Sequence, residues 1–335
     1  MKTALITGAT GFVGGSLVEA SLARGFHVRA LVSPGNPRGR DCEARGAEIV
    51  YADIRDREAV RRAASGVDVI FHCAAVVTDW APWRLFEEVT AGGTENVCEA
   101  ARATGVSCLV HISTNDVFGR DETEVMDESF PLRAWNEPYP DAKIAAERIT
   151  WTYSRERGLP VTMVYPCWVY GEGDRTFVPL LADAIRKREL IFWRRDALVW
   201  PTYIDNLVEL LMLIAEDERA VGSGYLVHDG ESTTLQQLCS EIARSLGVPP
   251  IRTHIPYSAA YALALVMEAA WKLLRVKTRP LLTTYTVKSL GSRLRFSIHK
   301  AERELGWTPR ISYREGLART MEWLGNLDLK SLKRK

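Results

Sequence analysis

Tyr139 and Lys143, in the run Tyr139-Pro140-Asp141-Ala142-Lys143, carry a phenol and an ammonium at i and i+4. In a helix that spacing puts both on one face, one turn apart, with about 5–6 Å between Cβ atoms. A free phenol has a pKa of about 10, so it exchanges protons near neutrality only where positive charge stabilises the phenolate. Lys143 is placed to supply that charge, which would make Tyr139 an acid–base group. Such a group needs a partner hydroxyl that hydrogen-bonds the reacting oxygen from the end of a neighbouring strand. Ile112-Ser113-Thr114 ends an apolar run of that kind. Thr114, with Ser113 behind it, therefore completes a candidate catalytic set of Thr114, Tyr139 and Lys143. Taken alone, a tyrosine and lysine at this spacing describe many ordinary surface pairs, so the weight rests on what surrounds them.

The start of the chain supplies a scaffold for a second reactant. Thr3-Ala4-Leu5-Ile6 reads as a strand and runs into Thr7-Gly8-Ala9-Thr10-Gly11-Phe12-Val13-Gly14. A strand-to-helix turn this tight needs glycine at 8, 11 and 14. There the backbone must approach a pyrophosphate, whose charge is met by free N–H groups at the helix N-terminus. The pattern marks a dinucleotide site lined by Gly8, Thr10, Gly11, Phe12 and Val13, with a helix from Phe12 to Arg24 closed by Gly25. Further strands are expected at 27–32, 48–52, 69–73, 108–113 and 161–165, with helices between them, which is the alternation of a parallel sheet. A helix at 203–215 and a strand at 224–227 follow, and residues 230–325 read as mostly helical. The expected fold class is α/β: a Rossmann-type doubly wound parallel sheet over residues 1–170, to which segment 203–228 returns, with a smaller, mostly helical C-terminal substrate domain within 171–335.

Taken in order, these motifs resemble the extended short-chain dehydrogenase/reductases, the NAD-dependent epimerase/dehydratase superfamily. The resemblance runs through Thr7 to Gly14, Asp53-Ile54, Cys73-Ala74-Ala75, Gly93-Thr94-Glu95-Asn96, Ser113-Thr114 before Val117-Phe118-Gly119, and Tyr139 to Lys143 with Glu147. Tyr203-Ile204-Asp205-Asn206, Leu305-Gly306-Trp307-Thr308-Pro309 and the stretch from Ile255-Pro256 look most like the 3β-hydroxysteroid dehydrogenase and dihydroflavonol-reductase-like branch. The resemblance implies a nicotinamide cofactor with Asp53 and Ile54 at its adenine, Ala74, Ala75 and Pro166 along it, and Lys143 on the nicotinamide ribose. After the second strand, NAD-preferring members present an acid to the adenosine ribose, whereas this chain reads Leu31-Val32-Ser33. Ser33 with Arg38 or Arg40 suits a 2′-phosphate, so NADP is expected ahead of NAD. Thr90 stands where the family has asparagine. Asn115 precedes Asp116 where related sugar dehydratases carry two acids, so a two-carboxylate elimination lacks half its apparatus.

The substrate side reads as apolar. Where sugar-nucleotide members place a phosphate-binding arginine, this chain has Ala197-Leu198-Val199-Trp200-Pro201-Thr202. Trp80, Tyr165, Trp168 and Trp200 are expected to border the pocket, with Trp83, Phe192 and Trp193 in neighbouring segments. Arg194 and Arg195 count against a wholly apolar site. The expected reaction interconverts a secondary alcohol and a ketone on a small hydrophobic substrate that is sterol-like, polycyclic or acyl. The rivals are a sugar-nucleotide epimerase or dehydratase with tightly bound NAD, and a catalytically silent dinucleotide-binding protein.

Composition bounds the rest. A net charge of +1 over 335 residues gives no reason to expect nucleic acid. Cys42, Cys73, Cys98, Cys108, Cys167 and Cys239 show no metal-ligand spacing and read as buried free thiols, so no metal is expected. His72 and His111 read as core groups, and the basic tail Lys330, Lys333, Arg334, Lys335 as a solvated end. Met1-Lys2 runs directly into the first strand, with no signal peptide, so a cytoplasmic location is expected. The apolar run Ser258 to Met267 is too short to span a bilayer and is expected to cover the pocket, with a weak membrane-surface contact as the sharper reading. A homodimer is the further partner expected.

Overall fold

Seven short runs satisfy their backbone groups by pairing side by side in a computed structural model of the chain, which describes residues 2–193, 196–276 and 278–326. Arg194, Arg195 and the Lys330–Lys335 tail lie outside the described residues. The strands are β1 (Thr3–Thr7), β2 (His27–Val32), β3 (Glu48–Tyr51), β4 (Val69–His72), β5 (Cys108–Ile112), β6 (Val161–Pro166) and β7 (Gly224–Val227). They form one parallel sheet in the order β7-β6-β5-β4-β1-β2-β3. Side chains alternate between faces. Ala4 and Ile6 join the core that holds Leu17 and Val18 of helix α1 (Phe12–Ala23), and Leu5 joins the one that holds Val97 and Ala101 of helix α2 (Gly93–Thr104). On the α2 side lies helix α3 (Pro138–Arg157), and helix α4 (Ile204–Ile214) packs on α1.

Strand order reverses between β1 and β4, and it is there that an open α/β sheet leaves a crevice beyond its strand ends. Register lines those ends up, with Thr7 beside His72 and His72 beside His111. β4 and β5 stop one residue short of the sequence expectation. Cys73 and Ser113 each keep one ladder bond through their N–H, to Thr7 and Val164, before the chain turns into the crevice. Segment 203–228 does return to the sheet, since α4 packs on α1 and β7 pairs with β6. Beyond it come helices, including α5 (Tyr257–Leu273) and α6 (Thr284–Ser289). Of α5 only Ala260 and Ala264 are buried, while Leu263, Leu265, Val266 and Leu273 are exposed, so this helix packs inward through alanines. Among the described residues no helix is long and apolar enough to cross a membrane.

The turn from β1 into α1 depends on Gly14, where a Cβ would lie 2.2 Å from the Gly8 carbonyl oxygen. At Gly15, also in α1, the nearest atom would be 3.5 Å away. Alanine in a helix interior normally gains roughly 0.5–1 kcal/mol over glycine. Gly15→Ala should therefore hold or raise the unfolding free energy, and Gly14→Ala should lower it by about 2 kcal/mol or more. Thermal or denaturant unfolding of the pair checks this, and equal behaviour of the two variants contradicts it.

Candidate active site

The β1–α1 turn is shaped to be approached closely. Gly8 has φ +67°, and a Cβ there would sit 2.9 Å from the Ala74 backbone nitrogen after β4. Gly11, extended at φ −77° and ψ 178°, caps α1 with no side-chain hydrogen bond, and the first turn holds no acid. The leading N–H groups of α1 are thus left for an anion. The loop after β2 is tied to this turn, because Asn36 donates to Thr10 Oγ1 at 3.1 Å and accepts from the Arg38 N–H. Ser33 and Arg40 are exposed there and Arg38 is half-buried. Ile54 is buried against Gly93, and Asp53 is held by Arg55 at 2.6 Å. Ala74 donates its N–H to Thr7 Oγ1, and Thr90 Oγ1 accepts from the Val76 N–H, so the threonine at the asparagine position supports the loop after β4. These residues fit a dinucleotide: a bare helix N-terminus for the pyrophosphate and a cradle that one added Cβ would fill.

Across the crevice, β5 and α3 bring Thr114, Tyr139 and Lys143 together. Thr114, buried just beyond β5, lies beside the half-buried Tyr139. One turn along α3, the buried Lys143 Nζ donates to the Ile112 carbonyl at 2.6 Å. Burial brings the Lys143 ammonium down to about 8, against the opposing pull of Glu147. Glu147 in turn accepts from Ser113 Oγ at 2.9 Å, Tyr165 OH at 2.7 Å and Trp151 Nε1 at 3.2 Å. The sequence suggests that Lys143 and an oxidised nicotinamide together lower the Tyr139 phenol; in the cofactor-free chain other groups act on it. Burial first and the Asp116 carboxylate second push Tyr139 up, with Thr114 acting the other way. His72 bridges Thr7 at 2.8 Å and Thr94 at 2.9 Å, and burial holds it neutral, down to about 3.

Two of the aromatic residues expected at the pocket are held by partners inside the protein. Tyr165 is 3% exposed, packs on Phe118 with ring centroids 4.8 Å apart and gives its hydroxyl to Glu147, because its place in β6 turns it into the core. Trp200 donates to the Leu294 carbonyl at 2.8 Å and packs on His228 at 4.5 Å, so its polar edge is satisfied internally. Trp168 is half-buried on Phe177, and Trp80 is half-buried with Lys272 Nζ 5.8 Å from its ring. A cavity of about 830 Å³ lies beside Glu147, Trp151 and Tyr165 and touches none of Thr114, Tyr139 and Lys143.

The sequence reading misses a third wall. Tyr285 of α6 donates to Asp116 Oδ2 at 2.7 Å and meets the Tyr139 ring at 6.3 Å. Its neighbours Thr283 and Thr286 hold Asp79 on the loop after β4, as Arg279 does at 2.6 Å, and Lys288 pairs with Glu137. No local pattern signals contacts between residues 169 or 200 positions apart.

Lys143 gives a prediction with a definite sign. Its folded pKa lies below the unfolded value, so its charge opposes folding at every pH below about 8; the penalty fades between about 8 and 10.5 and is absent above that range. Allowing for the lost hydrogen bond to Ile112, Lys143→Met should raise the unfolding free energy of the cofactor-free protein by on the order of 2 kcal/mol at pH 7. The gain should vanish above pH ~10.5, while cofactor affinity and turnover fall. Destabilisation at pH 7 contradicts the picture of a buried charge kept for function.

With this geometry in view, comparison with known proteins is direct. The profile of the NAD dependent epimerase/dehydratase family matches residues 4–227. A 2-alkyl-3-oxoalkanoate reductase of Stenotrophomonas maltophilia is 30% identical over 94% of this chain and 97% of its own. A 4-hydroxy-2-methyl-3-oxo-4-farnesyl-3,4-dihydroquinoline-1-oxide ketoreductase of Stigmatella aurantiaca is 32% identical over 95% of each. Among solved structures, the dTDP-glucose 4,6-dehydratase DesIV of Streptomyces venezuelae with NAD bound is 25% identical, covers 99% of this chain and 100% of its own, and superposes with a TM-score of 0.80. The chain belongs to the NAD-dependent epimerase/dehydratase family, as a nicotinamide-dependent oxidoreductase of the extended short-chain type.

Proposed function

We propose that this enzyme interconverts a ketone and a secondary alcohol on a hydrophobic substrate, with NADP(H) preferred over NAD(H). The observation that carries the reading is Tyr139 beside Thr114 and one helical turn from the buried Lys143, whose Nζ donates to the Ile112 carbonyl at the crevice end of the sheet. A nicotinamide dinucleotide, its pyrophosphate held at the β1–α1 turn, would supply the hydride acceptor or donor. In reduction, Tyr139 gives its hydroxyl proton to the substrate oxygen as the carbonyl carbon gains hydride. In oxidation it takes that proton back. Thr114 holds the substrate oxygen by a hydrogen bond, and Lys143 holds the ribose. Asp53, Ile54, Ala74, Ala75 and Pro166 line the cofactor, and Ser33 and Arg38 receive the 2′-phosphate. The division of labour is a dinucleotide-binding unit of residues 1–170 with 203–228, and a substrate-binding remainder.

Substrate class follows from two supports. No arginine stands between Ala197 and Thr202, and the two relatives above are named for ketones bearing alkyl or farnesyl groups. At roughly 25 cal/mol per Å², a ligand burying about 200 Å² more apolar surface than a sugar gains on the order of 5 kcal/mol before ordering losses.

Tyr139→Phe keeps the ring and removes the transferable proton, so turnover should fall by about 10²–10⁴ with cofactor affinity held. Near-normal turnover rules out the assignment. Calorimetric titration should give a lower dissociation constant for NADPH than for NADH, by a margin that shrinks as salt rises, and then binding of apolar ketones to the loaded protein. Equal affinity for the two cofactors removes the 2′-phosphate roles of Ser33 and Arg38. Saturable micromolar binding of a UDP- or dTDP-sugar turns the reading toward an epimerase or dehydratase.

A further inference from the structure

Most of the large apolar side chains exposed among the described residues gather in two stretches, 77–85 after β4 and 263–281 in and beyond α5. The two stretches are joined. Arg279 Nη2 donates to Asp79 Oδ2 at 2.6 Å, Thr283 donates to the same carboxylate, and Lys272 Nζ lies 5.8 Å from the Trp80 ring. On α5, Ala262, Val266, Ala269 and Leu273 recur at three- and four-residue spacing and all are exposed, so they form one stripe along the helix. Val266 is 66% exposed, Leu273 83% and, just past the helix end, Leu274 68%. Charge in this segment is one-sided. Residues 257–282 hold the basic Lys272, Arg275, Lys277 and Arg279 against one acid, Glu268, in a chain whose net charge is only +1. Glu268 is turned inward, where it accepts from the Thr284 N–H at 2.7 Å and Oγ1 at 2.9 Å, with Lys272 at 4.0 Å. Arg275 is exposed and joins no ion pair among the described residues.

We propose that this face docks on an anionic lipid bilayer, with the apolar stripe of α5 at the acyl boundary and its basic end among the headgroups. An apolar helix face edged by cations is the pattern that lies in a membrane interface, and the exposed Trp83 on the adjoining stretch suits the headgroup level. The association is peripheral, since no helix among the described residues is long and apolar enough to span. Charge complementarity selects the occupant. Anionic headgroups meet the cations of 272–279, whereas a two-fold contact with a second copy would bring both sets of cations into one interface with only the inward-turned Glu268 to answer them. The docked face adjoins the catalytic wall, because Thr283 and Thr286, which hold Asp79, flank Tyr285, and the Tyr285 ring meets Tyr139 at 6.3 Å. Resting on the reading of a hydrophobic ketone as substrate, the docked enzyme takes that ketone from the lipid, between the loop after β4 and α6, without passing it through bulk water.

Flotation of the full chain with vesicles of phosphatidylcholine, alone or mixed with phosphatidylglycerol, tests the docking without any substrate. Binding to the mixed vesicles should be clear, should weaken as salt rises, and should be much weaker on phosphatidylcholine alone. Val266→Glu/Leu273→Glu should lower affinity for the mixed vesicles by about tenfold or more, and Arg275→Gln by about fivefold. Because these side chains are exposed, both variants should unfold thermally as wild type does and keep its kcat/KM for a short, water-soluble ketone. For a long-chain ketone held in the vesicles, kcat/KM of the double variant should fall together with its binding. No binding to the mixed vesicles, or binding that the double variant leaves unchanged, overturns the docking face. A concentration-dependent dimer that the double variant splits in analytical ultracentrifugation, with no vesicle binding, overturns it in favour of a contact between copies. Vesicle binding by wild type without turnover of any apolar ketone supports the docking and overturns the substrate reading, together with the delivery role that rests on it.

Discussion

A lysine ammonium buried against a single main-chain carbonyl, Lys143 on Ile112, is the interaction from which the rest of the site follows. Burying that charge is unfavourable, and its folded pKa of about 8 records the fact. The position is tolerable because the carbonyl lies where β5 ends and because Glu147, one turn further on α3, acts on the same charge. The contact locks α3 to the strand end. With α3 locked, Tyr139 one turn earlier meets Thr114, and Ser113 is left to hold Glu147 from behind.

The sheet makes that junction reactive by putting it beside the turn that takes the cofactor. Because strand order reverses between β1 and β4, the turn after β1 and the loops after β4 and β5 open onto one crevice. The two sides are coupled by packing: a Cβ at Gly8 would strike Ala74, and Thr7 binds both the Ala74 N–H and His72. The third wall is polar. Residues 283–288, at the start of α6, hold Asp79, Asp116 and Glu137, so the C-terminal region completes the site through hydrogen bonds as well as through the Tyr285 ring on Tyr139.

Local rules made the sheet and the catalytic spacing legible. The glycines at 8, 11 and 14, the βα alternation and the i, i+4 pair of Tyr139 and Lys143 each act within about a dozen residues, where chain geometry dictates the outcome. Strand ends were misjudged by one residue, because Cys73 and Ser113 keep a ladder bond while already leaving the sheet. The aromatic residues were less legible. Tyr165 and Trp200 sit in apolar runs that suit a pocket or a core equally, and a remote partner decides between them: Glu147 for one, the Leu294 carbonyl for the other. Nor could spacing reveal that Tyr285 would hold Asp116 and meet the edge of Tyr139.

The central claim is net redox chemistry on the substrate, in contrast to an internal rearrangement that returns its hydride. Turnover with a reduced nicotinamide cofactor deuterated at C4, followed by mass analysis of the products formed from a 2-alkyl-3-oxo acid ester, decides it. The account predicts one deuterium on the new carbinol carbon and one equivalent of oxidised cofactor released for each alcohol formed. No net cofactor oxidation across apolar ketones, together with conversion of a sugar nucleotide at an unchanged oxidation level, would contradict it.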